Sequence, residues 1–296
     1  MLFSRKPKLS VVVIAFNMTR EIKRTIHSLS PGYQRGVKPS DYEVIVVDNG
    51  SVQPLSINDW ISRSGWSVRL LRRDAGDVSP CRAVNEGISM ARGSHVCVMV
   101  DGARMLTPGV IQGMLRQISS SFHSFVITLG WHLGPKAQNI SITEGYSQAV
   151  EDKLLRHIRW RQDGYRLFDI SSLALSSAGG WFSPISESNC FAISRRQFHA
   201  LGGFDERFSS PGGGIVNLDF FKRVVESECS EPFVLLGEGS FHQIHGGVAS
   251  NVPMDYHPGK MYADEYRAIR GFSYARPSYE PIYVGRLPTA ARRFLS

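Results

Sequence analysis

The chain of 296 residues is poor in cysteine. Its four cysteines, Cys81, Cys97, Cys190 and Cys229, stand far apart, and no CxxC pair occurs. That spacing argues against a zinc knuckle and a disulfide framework, and it fits a reducing, cytoplasmic setting. Long apolar runs are also missing. The longest stretch without Asp, Glu, Lys or Arg is 117–135, 19 residues with four serines and two histidines. It reads as a helix end followed by a strand, not as a membrane span. Met1 to Lys8 is basic, but the apolar segment behind it, Ser10 to Phe16, is too short for a signal-peptide core.

What is present is an ordinary globular composition, 42% hydrophobic and 20% charged. The length suits one large α/β domain or two small ones. A net charge of +8 raises the question of nucleic acid. Most of that charge is terminal. Arg5, Lys6 and Lys8 lie in a segment without an acid, as do Arg286, Arg292 and Arg293 in 281–296. The body between them is close to neutral and shows no basic stripe interleaved with aromatics, so no nucleic-acid partner is expected. The tail Ala290 to Leu295 reads either as a peripheral contact with anionic lipid at the inner membrane face or with an acidic partner, or as a frayed soluble end.

Leu9 to Phe16 (LSVVVIAF) and Tyr42 to Val47 (YEVIVV) are near-continuous apolar runs, the pattern of strands buried on both faces. Strands are also expected at 67–71, 94–100 and 122–129, with helices at 19–29, 54–61, 79–91 and 109–118 between them. Such alternation predicts a doubly wound, mostly parallel α/β sheet whose ligands bind beyond the carboxyl ends of the strands. Further on, the patterns predict helices at 144–160, 195–201 and 217–227, strands at 189–194 and 233–236, and a Ser/Gly-rich loop at 170–186. FNMTRE, after the first strand, has no glycine, so the G-x-G-x-x-G dinucleotide fingerprint is missing. No G-x-x-x-x-G-K-[ST] phosphate loop occurs either.

An ordered set of motifs does occur: IAFN (14–17), VVDNGS (46–51), AVNEGISMARG (83–93), VDGA (100–103), RRQFHALGGFDERF (195–208) and GGGIVNLDFFKR (212–223). Each is weak alone. Together, over residues 9–245, they resemble a family 2-like glycosyltransferase of the GT-A fold. The resemblance implies a GT-A-like sheet with an acceptor-binding second half. The expected division is a basic segment at 1–8, a nucleotide-sugar half at 9–130, an acceptor and catalytic half of the same domain at 131–250, and a C-terminal extension at 251–296. The implied activity is transfer of a sugar from a nucleotide-sugar donor to a saccharide, lipid-linked or protein acceptor, in polysaccharide or glycoconjugate synthesis.

Site residues follow from the same resemblance. Asp48 matches the carboxylate that bonds the nucleobase, although DNGS is also an Asx-turn sequence. Ala15 and Asn17 match the strand edge that lines the nucleoside. Asn85 matches the asparagine of the third helix, where a structural hydrogen bond is the other reading. Asp101 matches the first carboxylate of the D-x-D motif, which holds a divalent ion, Mn²⁺ or Mg²⁺, on the sugar diphosphate. The third position here is Ala103, and Arg104 follows it. Three outcomes stay open: an ion held by Asp101 and another residue, a metal-free site with Arg104 on the phosphate, or an inactive protein. The family often supplies a histidine after the last core strand. FHQIHGG offers His242 and His245, of which His245 is preferred as ligand.

Inverting members carry G-G-E-D-x-D where this chain has GGGIVNLD. Aligning the last aspartate on Asp219 puts Asn217 at the catalytic base, and an amide cannot take a proton. Either Asp219 does that work, or the chain follows retaining relatives, whose E-N-L-E is similar to Asn217-Leu218-Asp219. Asp219 can also be simply a helix-start carboxylate. Gly213 and Gly214 permit close backbone approach to the sugar. Trp181, Phe182, Glu187, Ser188 and Asn189 are expected at the sugar or acceptor pocket, with Trp181 either stacking on a sugar or buried in the core. Two other classes compete. A nucleotidyltransferase would need a Gly-rich basic loop after the first strand, which FNMTRE lacks. A non-catalytic carbohydrate-binding derivative is kept open by Ala103 and Asn217.

Overall fold

The computed structural model describes residues 6–56, 66–74 and 77–295. In chain order its strands are β1 (Leu9–Ala15), β2 (Tyr42–Asp48), β3 (Ser67–Arg72), β4 (His95–Met99), β5 (Arg104–Leu106), β6 (Ser124–Leu133), β7 (Ser171–Leu173), β8 (Cys190–Ser194), β9 (Glu231–His242) and β10 (Ile282–Gly285). The helices are α1 (Glu21–Leu29), α2 (Cys81–Ser89), α3 (Val110–Ile118), α4 (Gln138–Ser141), α5 (Gln148–Ile158), α6 (Arg195–Ala200), α7 (Val216–Val225) and α8 (Gly259–Arg270). The helix expected at 54–61 reaches into residues outside those described.

The apolar runs of β1 and β2 are buried on both faces because side chains alternate between two cores. Val12, Ile14, Ile45 and Val47 join α2 through Ala83, Val84 and Ile88. Leu9, Val11, Val13, Val44 and Val46 join α1 and α3 through Ile22, Ile26, Val110 and Met114. Gly87 shows how closely α2 lies on the sheet. A Cβ there would sit 2.5 Å from Val12 Cγ1 and 2.9 Å from Val47 Cγ2.

The sheet runs β10-β9-β6-β8-β4-β1-β2-β3, with β5 on β9 and β7 on β6. Pairing is parallel for β1 with β2 and β4, β2 with β3, and β9 with β6 and β10. Only β8 interrupts the main path, antiparallel to both β4 and β6. The carboxyl ends of β1, β2, β4, β6 and β9 therefore share one edge with the entrance to β8. Residues distant in sequence meet there.

Several elements depart from the sequence pattern. β9 extends well beyond the expected 233–236 because its interior charge is satisfied. Glu238 accepts from Thr107 Oγ1 (2.6 Å), Tyr165 Oη (2.7 Å) and Gly109 N (3.0 Å). The loop expected at 170–186 contains β7, and the C-terminal extension supplies α8 and β10. The tail is folded rather than frayed. Residues 289–294 form a 3₁₀ helix with Ala291 and Phe294 buried. The Arg293 guanidinium donates to the carbonyls of Asp169 (3.2 Å) and Ser171 (2.5 Å). No described helix is long and apolar enough to cross a membrane.

Candidate active site

At the shared edge, Asp101 follows β4, His242 ends β9, and His245 follows three residues later. Asp101 Oδ2 lies 2.8 Å from His242 Nε2 and 3.5 Å from His245 Nε2. The two Nε2 atoms are 3.1 Å apart. The other carboxylate oxygen accepts from Ala103 N at 2.8 Å, which fixes the turn that aims Asp101 at the histidines.

Hydrogen-bond counting shows what this cluster needs. Gln138, buried in α4, donates Nε2 to the carbonyls of His242 (3.0 Å) and Leu133 (3.4 Å). Its Oε1 therefore faces His242 Nδ1 at 2.7 Å. An amide oxygen only accepts, so Nδ1 carries the proton and the neutral ring keeps its lone pair on Nε2. Burial drives the His242 pKa down to about 4, against the pull of Asp101 and with help from Arg104 and His245. In the neutral ring the Nε2 lone pair faces the Asp101 carboxylate, and only the doubly protonated ring donates to it. For Asp101, burial opposes ionisation, but His245 and His242 outweigh it and hold the carboxyl well below the usual range. Burial likewise opposes charge on His245, and Asp101 overcomes it and raises its pKa.

Such a convergence of potential ligand atoms, once His245 Nε2 gives up its proton, fits a cation. Adjacent ligands around an ion at about 2.1 Å stand about 3.0–3.4 Å apart, depending on geometry, close to the spacing of these three atoms. Two imidazoles and one carboxylate suit Mn²⁺ or another transition ion better than Mg²⁺, which prefers oxygen and water. His132 is adjacent but committed elsewhere, its Nδ1 accepting from Gln138 N at 2.8 Å. Among the described residues, Asp101, His242 and His245 are the His/Cys/Asp/Glu group that meets metal-ligand spacing.

Arg104 opens β5 opposite His242 in the β5–β9 register. It is buried, and its Nε and Nη1 have no hydrogen-bond partner among the described residues. Burial lowers its pKa, while Asp101 and Glu187 raise it. A buried guanidinium with idle donors beside a cation site is equipped to receive an anion.

The remaining expected residues divide. Asn217, at the start of α7, gives Nδ2 to Glu187 Oε2 (3.2 Å) and Asn189 Oδ1 (3.3 Å), so these three do meet. Asp219 does not join them as a free base. It is 2% exposed. One of its oxygens accepts from Arg223 Nε (2.8 Å) and Arg270 Nη2 (2.7 Å), and the other from Arg270 Nε (2.7 Å). Trp181 is a core residue, packed on Trp131 and donating its indole N–H to Ala291 O at 2.9 Å, so it offers no platform to a sugar. Ser188 is buried, its hydroxyl 2.9 Å from the carbonyls of both Thr128 and Cys190, and Phe182 is exposed beside Tyr283.

On the nucleoside side, Ala15 is buried at the end of β1. Asn17 has a left-handed backbone (φ 54°) and accepts from Val52 N at 2.9 Å. Asp48 is buried, with its oxygens accepting from Ser51 N (3.0 Å) and Leu55 N (3.1 Å), the Asx-turn arrangement. Asn85 clamps the turn at Phe204 through both backbone groups, with distances of 2.9 and 3.1 Å. Gly213 and Gly214 have φ of 85° and 57° in the loop ahead of α7. The sequence pattern singles out neither Gln138 nor Asn251, and it ranks His242 below His245. The one available signal is the strand-end His-x-x-His spacing.

A family model described as glycosyl transferase family 2 matches residues 10–173. Among solved structures, S. aureus TarS 1–349 in complex with UDP-GlcNAc aligns with a TM-score of 0.52 and 14% identity, over 88% of this chain and 66% of that one. TarS 1–349 without ligand in its description aligns at 0.48 and 13%, over 81% and 58%. A longer TarS structure aligns at 0.48 and 13%, over 81% of this chain and 35% of that one. This chain therefore spans less than two thirds of each. At 14% identity, the likeness to TarS 1–349 with UDP-GlcNAc shows the fold alone. No curated protein matches.

Proposed function

Because the chain belongs to glycosyl transferase family 2, we propose that it transfers a sugar from a nucleoside-diphosphate sugar to a carbohydrate-containing acceptor. The observation that carries this reading is the cluster of Asp101, His242 and His245, whose potential ligand atoms lie within 3.5 Å of one another while His242 Nδ1 is bonded elsewhere. These three residues would hold a divalent ion, Mn²⁺ in preference to Mg²⁺. Such an ion, when bound, neutralises charge on the diphosphate leaving group.

The chain's own residues account for the rest. Arg104, buried beside Asp101 with Nε and Nη1 unpartnered among the described residues, supplies positive charge next to the phosphates as charge builds on them. Ala15, Asn17 and the loop shaped by Asp48 line the nucleoside, and Gly213 and Gly214 border the sugar. Asn217 holds Glu187, which accepts the proton of the acceptor hydroxyl in place of Asp219. Asn189 lies beside them on the acceptor side. The sheet halves at 9–130 and 131–250 divide donor from acceptor.

TarS, which shares the fold, is solved with UDP-GlcNAc, so that donor is tested first. A ligand that binds only the native state raises its melting temperature. UDP-GlcNAc is expected to do so with Mn²⁺ present and to lose that effect in Asp101→Ala. Should UDP-, GDP- and dTDP-sugars all fail to shift the wild-type protein with Mn²⁺, the reading is wrong.

A further inference from the structure

The orientation of Gln138 is itself determined by a neighbour. Asn251 Oδ1 accepts from the backbone N–H groups of His245, Gly246 and Gly247, each at 3.0 Å. With its oxygen committed to three donors, the side chain must present Nδ2 on its other side. Nδ2 lies 2.8 Å from Gln138 Oε1. That oxygen is thereby an acceptor for Asn251 and His242 together, while Gln138 Nε2 faces two carbonyls. Neither amide can be turned over without setting like against like. We propose that Asn251 and Gln138 are positioning residues, an amide relay that carries the orientation of the 245–247 loop to the ring of His242, makes Nδ1 a proton-bearing nitrogen and leaves Nε2 as the atom that faces Asp101.

The relay rests on the metal reading only for its purpose; its geometry is independent of it. Both histidine ligands depend on Asn251, His245 through its backbone and His242 through Gln138. The 245–247 loop and the strand-end ligand are therefore set as one unit. His132 makes a built-in contrast. Its Nδ1 accepts from Gln138 N, so a neutral His132 carries its proton on Nε2. Two neighbouring buried histidines, their ring centroids 5.4 Å apart and both bonded to one glutamine, are held with their protons on opposite nitrogens. Groups outside the ligand shell that fix a histidine tautomer typically change metal affinity about 10- to 100-fold when removed.

Asn251→Asp separates this role from a merely structural one. A carboxylate accepts from the three loop amides as well as the amide does, so a residue that only shapes the loop tolerates the change. It cannot donate to Gln138. A full negative charge against Gln138 Oε1 outweighs the two carbonyl contacts of Nε2, so the relay predicts that Gln138 turns over, gives up the His242 and Leu133 carbonyls, offers Nε2 to the introduced carboxylate and to the ring alike, and moves the His242 proton from Nδ1 to Nε2. Imidazole ¹⁵N spectra of histidine-labelled protein without metal read the tautomers directly, and Mn²⁺ titration by calorimetry reads affinity. The wild type is expected to show His242 as the Nδ1–H form and His132 as the Nε2–H form. Asn251→Asp and Gln138→Leu are expected to lose the Nδ1–H form of His242 and to bind Mn²⁺ about tenfold more weakly or worse. A wild-type His242 in the Nε2–H form overturns the relay whatever the variants do, as does Asn251→Asp with the wild-type tautomer and affinity. Wild-type and variant tautomers as expected, but with no Mn²⁺ bound by the wild type, sustain the relay and overturn the metal reading instead.

Discussion

Two carboxylates near the start of α7 look alike in sequence and are opposite in surroundings. Asp219 is a buried bridge between Arg223, one turn ahead on the same helix, and Arg270 of α8. Asp219→Asn leaves two guanidinium groups facing a neutral amide. Loss of one member of a buried ion pair costs about 3–5 kcal/mol, and urea unfolding should show destabilisation of that order. Glu187 has one polar contact from Asn217 and is only partly buried. Glu187→Gln should leave the unfolding midpoint nearly unchanged and UDP-GlcNAc binding intact. Sugar transfer should fall by about 10²–10⁴, the usual contribution of a general base. If Glu187→Gln transfers sugar at the wild-type rate, the proton has another destination, and the leaving phosphate becomes the first alternative.

At the scale of elements, the loop ahead of α7 depends on glycine in a way that the loop after β9 does not. Gly213 has φ +85°, and a Cβ there would meet Pro80 Cδ at 2.9 Å and Val216 Cγ1 at 3.0 Å. Gly246 has the same φ of +85° with nothing within 4 Å of a Cβ. Gly246→Ala should cost only the backbone strain, about 1 kcal/mol. Gly213→Ala adds a clash against the start of α2 and should cost about 2–4 kcal/mol in all. Equal losses in chemical denaturation would mean that the α2 contact yields freely. The same contrast explains what can be read from the chain. β1, β2 and β4 are legible because burial on both faces leaves unbroken apolar runs. β5, β7 and β10 are three or four residues long and show no period. The Asp101 cluster is half legible. Motif order points to Asp101 and His245, but Gln138 lies 104 residues from His242 and carries no local pattern. Arg223 can be paired with Asp219 by helical spacing, whereas Arg270, 51 residues away, cannot.

For the whole molecule, the donor side and the strap behind the histidines are joined through one buried acid. Glu151 of α5 is fully buried and accepts from Ile244 N at 2.8 Å, between the two histidines in sequence. Arg20 (3.1 Å) and Arg24 (3.4 Å), flanking and within α1, reach it from the first β-α unit. Burial nevertheless wins and lifts the Glu151 pKa to about 7, against the Ile244 amide and both arginines. Between its unfolded value near 4.5 and about 7, the folded protein holds a proton that the unfolded chain has released. Stability from this group is therefore complete below about 4.5 and is lost as pH rises through about 7. Glu151→Gln removes that proton linkage while retaining an acceptor for Ile244. Unfolding free energies measured from about pH 5 to about pH 8 should fall more steeply for the wild type than for Glu151→Gln, with the gap opening over that interval. Parallel curves would mean that the two arginines keep Glu151 ionised throughout. The link between α1, α5 and the 243–245 strap would then be an ordinary ion-pair network, insensitive to pH in this range.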